Sequence, residues 1–430
     1  MVIVKPRRQS LKTMNSYALA LLLSLDSATL RRLLLRIAVG GSLYACLAGS
    51  LGAFYTTPLE LLGVTARVSY AVCRTVADFI ARGGRPLFRE WTFSFELTQS
   101  VLRACMTQYG HRLALPPNAQ FLRRQSEVFG TLLGFKTCRQ LDVKLTAFEF
   151  NGLEHLWLTG SKAPKPTTGT TSRRRFVLLY FHGGGYGVLS PRMYISAGAE
   201  LQTRIASHLL AIEPNADVQV DVLLANYRKT PEHRYPAGPE DAFRMYEYLL
   251  HHEQLRPQQI IVAGDSAGGG LTVTTLLRAR DAEARVALPL AGLLVCPYVD
   301  LENPGEDHKA PYCILGKRAC VASFDAYHAR DGPPSTWGDA SPVHCDLSGL
   351  PPVYIQAAEL DHVFEHSVRL HEKAKEDGLT HWELDVHENL PHVFALFPSS
   401  MLPSAVKGLD AIASFAAKQF ATTLGDAAAA

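Results

Sequence analysis

The stretch IIVAGDSAGGGLTVTTLLRAR, Ile260 to Arg280, runs from a short apolar segment through Gly264-Asp265-Ser266-Ala267-Gly268 into a helical pattern. Its reading decides the architecture. The apolar run is a strand, the helical pattern starts at once, and the GxSxG between them is a tight bend with Ser266 at its tip. Such a bend exposes the hydroxyl and points the backbone N–H groups of the helix start at the same spot, and its small neighbours give steric clearance. A GxSxG alone recurs by chance. The strand before it and the helix after it give this one its weight.

Working outward, Phe176–Phe181, Asp221–Tyr227, Gln259–Gly264, Ala291–Cys296 and Val353–Ala357 are short apolar runs separated by longer helical patterns. Continuous apolar strands alternating with helices predict an α/β fold, a mostly parallel central sheet covered on both faces, with its chemistry at the carboxyl ends of the strands. Leu145–Leu158 alternates in polarity around Asn151-Gly152, the pattern of a β-hairpin. Ser161–Arg175, rich in Pro, Thr and Gly, reads as a surface loop.

Directly after the strand FVLLY stands Phe181-His182-Gly183-Gly184-Gly185-Tyr186-Gly187. Successive glycines let backbone N–H groups approach a developing oxyanion closely, so the N–H groups of Gly183, Gly184 and Ala267 are the expected oxyanion hole. A phosphate-binding glycine loop is the competing reading, but neither GxxxxGK[ST] nor GxGxxG accompanies it. After another strand comes Tyr227-Arg228-Lys229-Thr230-Pro231-Glu232-His233-Arg234-Tyr235-Pro236-Ala237-Gly238-Pro239-Glu240-Asp241.

HGGG, YRxxPEHxxPAxxED and GDSAGG in this order resemble the hormone-sensitive lipase family of α/β-hydrolases, which includes arylacetamide-deacetylase-like and fungal sterol-acetate-hydrolase-like enzymes. The resemblance covers roughly Leu145 to Phe420. It implies an α/β-hydrolase fold with helical cover from the N-terminal region and an insertion, and a bracing role for Tyr227 to Asp241, so His233, Glu232 and Asp241 stay outside the catalytic set. It also implies the triad order Ser, acid, His. Asp361 falls where the family places its acid, although Glu359-Leu360-Asp361-His362-Val363-Phe364-Glu365 departs from the usual Gly-x-Asp-Pro-Leu-x-Asp, which leaves Glu359 and Glu365 as alternatives. His392 has the family spacing from Asp361, with Val393 in place of the usual glycine and Phe394 kept. For His362, His366, His371, His381 and His387 the expectation is a packing or surface role.

The activity that the resemblance implies is that of a serine carboxylesterase or deacetylase acting on short acyl esters of a bulky apolar alcohol such as a sterol or terpenoid, through an acyl-serine intermediate. Ser266 is the nucleophile, His392 the base and Asp361 its orienting acid, with no cofactor and no metal. An N-acyl amidase of the same fold and a non-catalytic protein binding hydrophobic ligands are the alternatives. The partner is a small lipophilic ester; the sequence does not fix the oligomeric state.

The chain has 430 residues, 47% of them hydrophobic and 19% charged, with a net charge of +3, which favours neither disorder nor nucleic-acid binding. Its eight cysteines show no CxxC pair and no zinc-finger spacing, and leave the disulfide state open. The amino-terminal part differs: residues 1–36 are basic, and from Ile37 to Leu59 there is no charged residue. That pattern predicts a signal anchor, a membrane-spanning or membrane-associated helix at 37–59 that puts the catalytic part across the membrane, as in a luminal endoplasmic-reticulum enzyme; the alternative is a soluble or peripheral protein. No Asn-x-Ser/Thr sequon supports a luminal location. Residues 60–140 read as a helical cap, 141–425 as the catalytic domain, and 297–340 as an inserted lid.

Overall fold

The computed structural model describes Gly49 and residues 51–160, 173–282 and 286–425. Residues up to Gly52 form a unit separate from Ala53–Ala430, and the second unit carries the fold described below.

From Ala53 onward three helices precede the sheet: α1 (Pro58–Ala81), α2 (Phe93–Tyr109) and α3 (Pro116–Leu141). Pro58 starts α1 because Thr57 ahead of it makes a reciprocal capping box with Glu60. The helix expected over 37–59 therefore does not run on to Leu59, and the rest of that expectation is only partly within the described residues. Residues 37–48 and 50 lie outside the described residues, and 53–57 are turn and extended backbone rather than helix. Among the described residues no helix is long and apolar enough to cross a membrane.

The hairpin is β1 (Val143–Phe150) and β2 (Leu153–Gly160), with Phe150 opposite Leu153. Asn151 and Gly152 both have positive φ, 54° and 72°, the backbone that a two-residue hairpin turn needs. Then follow β3 (Arg174–Phe181), α4 (Ile195–Ile212), β4 (Val218–Ala225), α5 (Ala237–His251), β5 (Ile260–Asp265), α6 (Ala267–Asp281), β6 (Ala291–Val295), α7 (Lys317–Tyr327), β7 (Val353–Ala358), α8 (Phe364–Glu376), β8 (Trp382–His387) and α9 (Ala405–Gly425). The eight strands form one sheet in the order β1-β2-β4-β3-β5-β6-β7-β8. β2 runs antiparallel to its two neighbours and every other pairing is parallel.

The central strands β3 to β7 are largely apolar on both faces because both faces are covered. In β3, Phe176, Leu178 and Tyr180 enter a core shared with α4 and α9, while Val177, Leu179 and Phe181 enter one shared with α5 and α6. The loop expected over 161–175 ends earlier than its composition suggests. Residues 161–172 lie outside the described residues, but Arg174 and Arg175 are the first rungs of β3. Arg175 is held there by the buried Asp221 at 2.7 Å and by the Trp157 ring, 4.6 Å from its guanidinium carbon.

Residues 297–340 contain α7 and short 3-10 turns, and they pack on the glycine loop after β3. Tyr327 stacks on Tyr186 with ring centres 3.7 Å apart, and Ser323 Oγ donates to the Gly185 carbonyl at 2.7 Å. The amino-terminal helices reach the same region: Arg123 of α3 donates to the Gly187 carbonyl at 2.8 Å, and Gln99 of α2 to the Tyr312 carbonyl at 2.8 Å.

Candidate active site

β5 ends at Asp265 and α6 begins at Ala267, so Ser266 alone makes the bend, with φ 49° and ψ −119°. A non-glycine residue there is strained by about 1–3 kcal/mol and must be held by its surroundings. Here its N–H donates to the Val295 carbonyl at 2.9 Å and its carbonyl accepts from Tyr298 N–H at 2.8 Å. The chain after the bend passes hard against β3: a Cβ on Gly268 would stand 1.9 Å from the Phe181 carbonyl oxygen. Gly268→Ala is therefore expected to force helix and strand apart and to lower stability by about 1–3 kcal/mol or more. A chemical-denaturation midpoint equal to that of the wild type would refute this.

Asp361 follows β7 and His392 follows β8, neighbouring strands whose carboxyl ends bring the two side chains together. His392 Nδ1 and Asp361 Oδ2 are 2.7 Å apart and both residues are buried. The other carboxylate oxygen accepts the Val363 N–H at 3.0 Å and faces Cys313 Sγ at 3.8 Å. Burial alone would raise the Asp361 carboxyl, but the His392 charge and hydrogen bond, with the Val363 N–H, outweigh it and hold the group below the usual carboxylate range. Val393, where the family has glycine, takes a left-handed conformation with φ 50°, and its N–H donates to Cys296 Sγ at 3.3 Å.

The other histidines near the carboxyl-terminal strands sit in other surroundings. His387 Nε2 lies 2.9 Å from Asp385. His366 accepts the Val299 N–H at its Nδ1 and meets the Asn303 carbonyl through Nε2. His371 and His381 meet the Trp382 and Leu350 carbonyls, and His362 packs against Gly305. His182 is buried, stacked on Tyr227 at 4.6 Å, and burial pushes it well below the usual imidazole range. Asp241 receives the Arg228 backbone and guanidinium, and Glu232 pairs with Arg123 at 2.8 Å, so this segment ties the glycine loop to the cap.

One expectation needs correction. The Gly183 N–H points at Asp265 Oδ1, 3.0 Å away, with Tyr194 Oη at 3.1 Å, so it is occupied and does not face a substrate oxygen. The next two glycines have φ 106° and 56°, the left-handed side of backbone space that glycine adopts without strain. The run of three glycines carries no sign of which N–H turns inward; that is set by Asp265, Tyr180 and Tyr194, which sequence reasoning did not single out.

Among the described residues, two groups of side chains have metal-ligating atoms within 4.8 Å of one another: Cys296, Asp361 and His392, and Asp300, Glu302 and His344. In the first, Asp361 and His392 bind each other; in the second, Asp300 is taken up by Arg369.

A family model described as the alpha/beta hydrolase fold matches residues 178–396. The acetyl-hydrolase of Streptomyces hygroscopicus is 33% identical over 204 residues, covering 47% of this chain and 62% of that protein, so the match spans less than two thirds of its length. An esterase of Acinetobacter venetianus is 29% identical over 246 residues, 56% of this chain and 74% of the relative. Among solved structures, an esterase from the bacterial hormone-sensitive lipase family superposes with a TM-score of 0.57 at 28% identity, covering 72% of this chain and 95% of that one. An esterase/lipase from an uncultured bacterium gives 0.59 at 25% identity, covering 76% and 99%.

Proposed function

Because this chain belongs to the hormone-sensitive lipase family of α/β-hydrolases, we propose that it is a serine carboxylesterase that removes short acyl groups from a lipophilic alcohol. The observation that carries the reading is the buried 2.7 Å contact between His392 Nδ1 and Asp361, two strands away from a serine held at a strained bend. In this reading residues 141–425 are the catalytic domain, covered by 60–140 and 297–340.

Ser266 Oγ attacks the acyl carbonyl as His392 takes its proton, and Asp361 fixes the imidazole tautomer and stabilises the imidazolium. The tetrahedral oxyanion sits on the N–H groups of Gly184, Gly185 and Ala267, each donor worth about 2.7–4 kcal/mol in the transition state. Collapse expels the alcohol, which receives the proton from His392. Water then attacks the acyl-serine along the same route, and the carboxylic acid leaves with Ser266 regenerated.

The names of the relatives support a short acyl group; the bulky apolar alcohol rests on the family resemblance. The test is fluorophosphonate labelling together with turnover of p-nitrophenyl acetate, butyrate and octanoate. Labelling with kcat/KM at least about tenfold higher on acetate or butyrate than on octanoate is expected, the size of a difference of about 1.4 kcal/mol in transition-state binding. A folded wild type with neither labelling nor turnover overturns the esterase reading, and a preference for octanoate overturns the short-acyl part.

A further inference from the structure

Asp265, the residue before Ser266, sits at the end of β5 and is 1% exposed. Its Oδ1 accepts from Tyr180 Oη and from the Gly183 N–H, each at 3.0 Å, and its Oδ2 accepts from Tyr194 Oη at 3.0 Å. Tyr180 lies on β3 just before the glycine loop, and Tyr194 lies in the short helix Pro191–Tyr194 just after it. One carboxylate therefore grips both ends of the loop 183–190 and is covalently joined to Ser266. The fit is tight: a Cβ on Gly183 would stand 2.3 Å from Asp265 Oδ2. Neither the triad nor the oxyanion hole uses this group directly.

From this geometry we propose that Asp265 is a positioning residue that holds the Gly184 and Gly185 N–H groups in register with Ser266 and Ala267. The inference rests on the esterase reading above. A loop that drifts by about 1 Å loses much of its transition-state stabilisation, because donors help only when aimed at where the oxyanion forms.

The grip also depends on charge. The ionisable groups around Asp265 are Tyr180 from β3, Tyr194 from the short helix, Tyr227 from the segment after β4 and His392 from the loop after β8. Burial pushes all three tyrosines well above the usual phenol range, so they stay neutral donors. Burial likewise pushes the Asp265 carboxyl up to about 6, against the pull of the tyrosine hydroxyls, His392 and the Gly183 N–H. Above that pH Asp265 is ionised and accepts every bond offered. Below it, one oxygen carries a proton and opposes a donor.

The experiment is Asp265→Asn, a near-isosteric change, with Tyr194→Phe as a milder second variant. Complete labelling of Ser266 by a fluorophosphonate at long times checks that each variant is folded. For p-nitrophenyl acetate at pH 8, Asp265→Asn is expected to lower kcat about a hundredfold with KM within about twofold, and Tyr194→Phe to lower kcat about tenfold. The ratio of wild-type to Asp265→Asn kcat is expected to shrink about tenfold between pH 8 and pH 5, as the wild-type carboxylate takes up a proton. A merely structural role would leave that ratio flat. If Asp265→Asn does not fold, the Tyr194→Phe ratio decides by the same criterion. A kcat within threefold of the wild type, or a ratio independent of pH, overturns the inference while the esterase reading stands; an unlabelled, inactive wild type overturns both.

Discussion

Replacing Ser266 with alanine is expected to lower kcat for p-nitrophenyl acetate by roughly a millionfold, and His392→Ala to do nearly the same. The size follows from the roles proposed for the two groups. Without the serine hydroxyl there is no acyl-enzyme; without the imidazole the hydroxyl keeps its proton and is a poor nucleophile. Each loss disables the other partner, so the double variant should be no slower than either single one by more than a few-fold. Residual turnover of about 10³–10⁴ over water would remain from the oxyanion donors and substrate binding. The check is kcat for both singles and the double, with fluorophosphonate labelling of each. A Ser266→Ala variant within tenfold of the wild type, or still labelled at the wild-type rate, would remove Ser266 from the nucleophile's role.

What the sequence discloses here tracks how local the physics is. β4 to β7 and the hairpin at Asn151-Gly152 were legible because apolar runs and a turn pair are decided by neighbours in the chain. The bend at Ser266 was legible for the same reason. β3 was read two residues short because Arg174 and Arg175 look like loop; only Asp221 and Trp157, brought alongside by the sheet, make an arginine acceptable there. The orientation of Gly183 was illegible because its acceptor, Asp265, lies 82 positions away. The end of the helix expected at 59 was illegible because Pro58 opens a new helix capped by Thr57 and Glu60, a start hidden inside the uncharged run. The candidate acid and base sit between these extremes. No local pattern isolates Asp361 or His392; family spacing pointed to them, and adjacency of β7 and β8 brings them together.

That adjacency also sharpens the choice of acid. Asp361→Asn is expected to lower kcat about 10⁴-fold, while Glu359→Gln and Glu365→Gln stay within about threefold of the wild type. Asp361 Oδ1 is held by the Val363 N–H, which leaves Oδ2 facing His392 Nδ1. An amide placed there presents an N–H to that nitrogen and favours the tautomer whose proton sits on the side facing the nucleophile, so the imidazole cannot accept from serine. Glu359 acts elsewhere, since its carboxylate accepts the Asn389 N–H at 2.9 Å and shapes the loop leading to His392. Glu365 lies in the first turn of α8, where a negative charge favours the helix start. The pH profile separates the roles further. Because the His392 charge and hydrogen bond hold Asp361 below the usual carboxylate range despite burial, its stabilising contribution is present above that range. It is lost only as pH falls through the lowered value. Asp361 should therefore leave no mark on activity between pH 5 and 8, whereas Asp265, pushed up to about 6 by burial, is expected to leave one. If Glu359→Gln instead carried the 10⁴-fold loss and Asp361→Asn spared kcat, the buried 2.7 Å contact would be structural and the acid would have to be reassigned to the loop that precedes it.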